Sequence, residues 1–151
     1  MSLDALPPLF LWVDGATVFA QQNHLLGWAY LLVHHDRELA READTVLPQT
    51  IAPLRAPGAA LLAAEKGLIT SLAMGHRQVT ICYDDLTLFF WITGVWISAD
   101  PLIVHVRDFI KTHALDLSWY KLSPHSHLPF HIAVDRLARE AGETALLQTS
   151  T

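Results

Sequence analysis

Charge is scarce in this chain. Only 17% of its 151 residues are charged, against 52% hydrophobic, a balance that excludes extended disorder and leaves ample apolar surface for a core. Positive charge is the scarcer sign: ten Lys and Arg stand against fifteen Asp and Glu, for a net charge of −5. The basic residues are scattered rather than clustered, so the sequence carries no extended surface for phosphate backbones. A single cysteine, Cys82, excludes an internal disulfide and fits a reducing, cytoplasmic setting. No apolar run reaches the roughly 18 residues that a membrane-spanning helix needs. The apolar stretch 6–13 follows Asp4, contains Pro7 and Pro8 and has no basic residue ahead of it, unlike a signal peptide. Repeats and low-complexity tracts are also missing. The expectation is one domain, 1–151, with a core over about 9–141 and a fraying tail at 143–151.

Hydrophobic periodicity orders what is there. Residues 9–33 read as two long strands that turn at Gln21-Gln22-Asn23-His24, most simply an antiparallel hairpin. A third strand around 39–47 is polar enough for a sheet edge. After Pro48, Pro53 and Pro57, the Ala/Leu-rich stretch from Gly58 to about Met74 predicts a helix closed by Gly75. The strand at 78–83 follows that helix, so a parallel crossover is expected. Helices are predicted over 86–96, ended near Gly94, and over 101–113, where Ile103, Val106 and Ile110 share a face. A short strand at 117–122, a loop over 124–129 and a helix at 130–141, ended by Gly142, complete the chain. These pairings predict an α/β fold with a five-stranded mixed sheet in the order 3-2-1-4-5, flanked by helices.

Four acids stand where carboxylates are hard to explain. Asp14 and Asp84 end the apolar runs Leu9-Phe10-Leu11-Trp12-Val13 and Val79-Thr80-Ile81-Cys82-Tyr83, Glu65 interrupts an Ala/Leu helix, and Asp135 follows His131-Ile132-Ala133-Val134. A buried carboxylate is costly unless it is paired or bound to metal. Four converging acids would repel one another, and divalent cations relieve that repulsion; oxygen donors point to Mg²⁺ or Mn²⁺. Two such ions would offset four of the five excess negative charges, which weakens the charge argument against a nucleic-acid partner.

The order of elements and acids resembles the type I ribonuclease H family over roughly residues 9–141. The resemblance rests on Val13-Asp14-Gly15, on Ala63-Ala64-Glu65-Lys66, on Cys82-Tyr83-Asp84-Asp85, and on His125 standing ten residues before Asp135-Arg136-Leu137-Ala138. It implies an enzyme that hydrolyses the RNA strand of RNA/DNA hybrids with two Mg²⁺ ions. By position, Asp14 would bridge both metals and Glu65, Asp84 and Asp135 would complete their shells. Glu65 would also be placed to contact the ribose 2′-OH, and His125 to assist proton transfer or product departure. Against the family pattern, Ala16 replaces a frequent Ser, His127 replaces a Gly in the histidine loop, and no basic protrusion joins the middle helices. The metal site looks intact while the substrate grip looks reduced.

Plainer readings stand beside these. Asp14-Gly15 is a common turn, Asp85 suits the N-cap of the next helix, and Asp135 is spaced to pair with Arg139. The spacing of His125, His127 and His131 matches no standard zinc site, and no cysteine accompanies them. Phe89, Phe90, Trp91 and Trp96 fit either a groove for the DNA strand or the core. The rival to the enzyme is an inactive module of the same fold that binds protein or nucleic acid, the protein through the apolar stretch 86–96. Retention of all four acids argues for the enzyme.

Overall fold

The computed structural model describes residues 8–20, 23–124 and 126–149. Three antiparallel strands come first: β1 (Leu9–Ala20), β2 (Asn23–His34) and β3 (Arg37–Val46). Helix α1 (Arg55–Ala73) leads to β4 (Gln78–Tyr83), and α2 (Leu86–Thr93) and α3 (Pro101–Thr112) lead to β5 (Asp116–Lys121); α4 (Pro129–Thr149) closes the chain. The sheet order is β3-β2-β1-β4-β5, with β1–β4 and β4–β5 parallel, as the sequence pattern predicts.

Strand alternation divides the sheet into two apolar faces. Leu9, Leu11 and Val13 of β1 join Val79 and Ile81 of β4 in a cluster with Leu61 and Leu68 of α1, Leu88 of α2, and Ile103 and Val106 of α3. Trp12 and Cys82 point the other way, toward Val134 and Ala138 of α4. Two glycines set how closely this second face is covered. A Cβ on Gly27 of β2 would lie 1.8 Å from the Ala138 carbonyl oxygen, and one on Gly142 would lie 2.7 Å from Cγ2 of Val18.

That contact corrects the predicted end of α4. Gly142 lies within the helix, buried against β1, and α4 runs on to Thr149 where a fraying tail from 143 was expected. Leu146 is buried and holds the added turns to the core. The start of α1 is also earlier than predicted, at Arg55 rather than Gly58. Pro57 falls in its first turn, where a missing N–H leaves no intrahelical bond unmade. Gly94, with φ +79°, ends α2 as expected, and Asp85 caps it by accepting the Thr87 N–H at 2.9 Å. The predicted turn residues Gln21 and Gln22 lie outside the described residues.

Candidate metal centre

Asp14 is not a turn residue. β1 continues through it to Ala20, and Gly15 serves close packing: a Cβ there would come 2.5 Å from the Ala56 carbonyl oxygen of α1. With Gly15 turned toward α1, Asp14 opens on the α4 side of the sheet, two residues beyond Trp12. Asp84 follows the last residue of the neighbouring parallel strand β4. One carboxylate oxygen from each, together with a ring nitrogen of His131 on α4, lie within 4.8 Å of one another.

Burial dominates the electrostatics. Asp14 is 7% exposed, and its carboxyl is pushed up to about 8, first by burial, then by the charges of Asp84 and Asp135; the Gly15 N–H, donated at 2.9 Å, opposes this. Without a cation, Asp14 therefore holds its proton at neutral pH. Asp135 is close enough to bond Asp14, but its carboxylate is also paired with Arg139 at 3.1 Å. Glu65 is buried on α1, and its Oε2 lies 3.0 Å from Nε2 of His105 on α3. His131 is buried and places Nε2 3.2 Å from Oδ2 of Asp84.

Comparison with solved structures places this arrangement. Ribonuclease H1 from the halophilic archaeon Halobacterium salinarum superposes with a TM-score of 0.65 at 20% identity, over 88% of this chain and 96% of that one. LC11-RNase H1, isolated from compost by a metagenomic approach, gives 0.66 at 14% identity, over 91% and 97%. It has also been solved in complex with an RNA/DNA hybrid. The N-terminal ribonuclease H domain of a Mycobacterium tuberculosis protein gives 0.62 at 14% identity, over 95% and 99%. The chain has the ribonuclease H fold. Neither a family model nor a curated protein matches its sequence.

Within this ribonuclease H fold, the sequence-predicted acids divide. Asp14 and Asp84 share the tight group with His131, whereas Glu65 and Asp135 stand outside it, each with a basic partner. His125 lies outside the described residues, and His127 is exposed. Sequence reasoning grouped His131 with the loop histidines; its signal was its place one helical turn before Asp135, which puts both on one face of α4. His105 had no such signal, because its partner lies forty residues away on another helix. The aromatic stretch also divides. Phe89 packs against Tyr83 and Trp119, while Phe90 meets a half-exposed Trp96 at 4.7 Å.

Proposed function

We propose that the chain is a divalent-metal-dependent endoribonuclease that hydrolyses the RNA strand of RNA/DNA hybrids. The observation that carries this reading is the convergence of Asp14 and Asp84 from adjacent parallel strands, with Asp14 buried at a cost that a cation would relieve. The donor set fits a hard divalent ion: carboxylate oxygens dominate, and the raised Asp14 carboxyl marks a buried site where ionisation needs a counter-charge. Support for the substrate comes from LC11-RNase H1, whose structure contains an RNA/DNA hybrid.

In this reading Asp14, Glu65, Asp84 and Asp135 would together hold two divalent ions, Mg²⁺ or Mn²⁺. When bound, the ions activate the attacking water and stabilise charge on the leaving 3′ oxygen. The chain's own groups do the positioning. Gly15 N–H fixes one oxygen of Asp14, His131 holds Asp84, Arg139 holds Asp135 and His105 holds Glu65 beside the expected ribose 2′-OH. Asp14 must release its proton before a cation can take its place. His125 would assist proton transfer or product departure. Phe90 and Trp96, paired at the surface, offer stacking area for the DNA strand.

One domain, 1–151, in a reducing cytoplasmic setting completes the proposal. Cys82 is a buried free thiol whose ionisation burial pushes well up, which leaves it unreactive. No helix among the described residues is long and apolar enough to cross a membrane.

The deciding experiment is cleavage of an end-labelled RNA/DNA hybrid with Mg²⁺, with Mn²⁺ and with chelator, alongside single-stranded RNA and duplex DNA. Cation-dependent cuts confined to the RNA strand of the hybrid are expected. Binding of the hybrid without cleavage under any cation would favour the inactive module instead.

A further inference from the structure

His131 is 6% exposed, and its two ring nitrogens have unlike surroundings. Nε2 faces Oδ2 of Asp84 at 3.2 Å, whereas buried Nδ1 has no hydrogen-bond partner among the described residues. Here the ring position is set by what one nitrogen meets, and it meets the Asp14–Asp84 pair. The spacing also suits coordination. Two donors bound at right angles on one cation, each at about 2.1 Å, lie ~3 Å apart, close to the observed Asp84–His131 separation.

We propose that His131 supplies an imidazole nitrogen to a cation held by Asp14 and Asp84, and that this donor biases the site toward a first-row transition cation over Mg²⁺. The inference rests on the metal-centre reading above. Mg²⁺ takes oxygen donors almost exclusively, so exchanging a carboxylate or water for imidazole weakens it. First-row cations accept a mixed oxygen and nitrogen set, with affinity rising along the series from Mn²⁺. On binding, Nε2 turns its lone pair to the cation, the neutral ring carries its one proton on Nδ1, and Asp84 and His131 become neighbours on the same ion.

The test reads metal ligation directly, without substrate. Mn²⁺ bound to the full chain is examined by pulsed electron paramagnetic resonance, in which a coordinated imidazole gives ¹⁴N modulation of the echo. That modulation is expected in the wild type and should change on ¹⁵N-histidine labelling. In His131→Asn it should disappear, and Mn²⁺ affinity should fall by about tenfold or more, the scale that even outer-shell losses reach, while Mg²⁺ affinity changes less. Absence of histidine modulation in the wild type overturns the proposal. So does modulation that survives in His131→Asn, because the nitrogen would then belong to another histidine. Because labelling marks all nine histidines, His131→Gln serves as the second variant should His131→Asn misfold, and modulation that survives in it overturns the proposal equally. Histidine ligation in a chain that cleaves no hybrid would refute the nuclease reading alone; cation-dependent cleavage without histidine ligation would refute only the role of His131.

Discussion

The two faces of the sheet are built from alternate residues of the same strands, yet they are finished differently. On the α1–α3 side, three helices cover the sheet with an apolar cluster, and its polar groups are paired: Tyr30 bonds Thr70 at 2.8 Å and Ser71 bonds the Gly67 carbonyl oxygen at 2.8 Å. The α4 side has one helix, a smaller cluster and a cavity of about 730 Å³ lined in part by Phe10, Trp12, Cys82, Tyr120 and Phe130. Both buried side-chain nitrogens that lack partners among the described residues, Nε1 of Trp12 and Nδ1 of His131, are there. The raised carboxyl of Asp14 is there too. One face holds the fold together, and the other stores the electrostatic cost from which a metal site is made.

The sharpest way to break this comparison is to remove charge from the α4 face. Asp14→Asn or Asp84→Asn should abolish hybrid cleavage, because an amide is a poorer ligand for a hard cation. The metal-free Asp14→Asn chain should melt no lower than the wild type, since an amide has no ionisation for burial and the Asp84 charge to penalise. Cleavage by Asp84→Asn at wild-type rates would refute its role. The converse change on the other face is Leu61→Ala, at a side chain that is 0% exposed. Denaturant unfolding should show a loss of about 2–5 kcal/mol, with Mn²⁺ affinity of the folded chain unchanged.

Acidity separates the faces next. Asp14 binds its proton more tightly in the folded chain than in the unfolded one, so its contribution to metal-free stability is full below about 3.8 and is lost as pH rises through about 8. Between pH 5 and 8, the wild-type melting temperature should fall relative to Asp14→Asn as pH increases. Parallel pH profiles for the two proteins would show that Asp14 does not carry the buried proton. The smallest expected effect is at Asp85, whose side chain caps α2. Asp85→Ala should cost about 1 kcal/mol of stability and leave cleavage intact; lost cleavage would exchange its role with that of Asp84.

The strand order and the positions of Asp14 and Asp84 were legible because both depend on local pattern. Continuous apolar runs, buried on both faces, name the strands, and an acid at the end of such a run is conspicuous. The end of α4 was not legible, because Gly142 has the same letter whether it stops a helix or admits Val18 of a neighbouring strand. His131 was misplaced for a similar reason: nearness in sequence joined it to His125 and His127, whereas helical phase joins it to Asp135. The His105–Glu65 pair depends on how α3 crosses α1, which no local window records.

The seating of α4 on β1 and β2 through Gly27 and Gly142 has a consequence for how such a chain can change over time. Both glycines meet the helix or strand opposite them without a side chain between, so α4 has a fixed rotation about its own axis at these two points. Asp135 and His131 lie on the same rigid rod, about one and two turns nearer its start than Ala138, the residue that Gly27 meets. Inserting or deleting a single residue between Asp135 and Gly142 would turn that end by about 100° relative to the seated part, swinging both side chains away from Asp14. Length variation should therefore be tolerated in the loop before Pro129 and forbidden between Asp135 and Gly142.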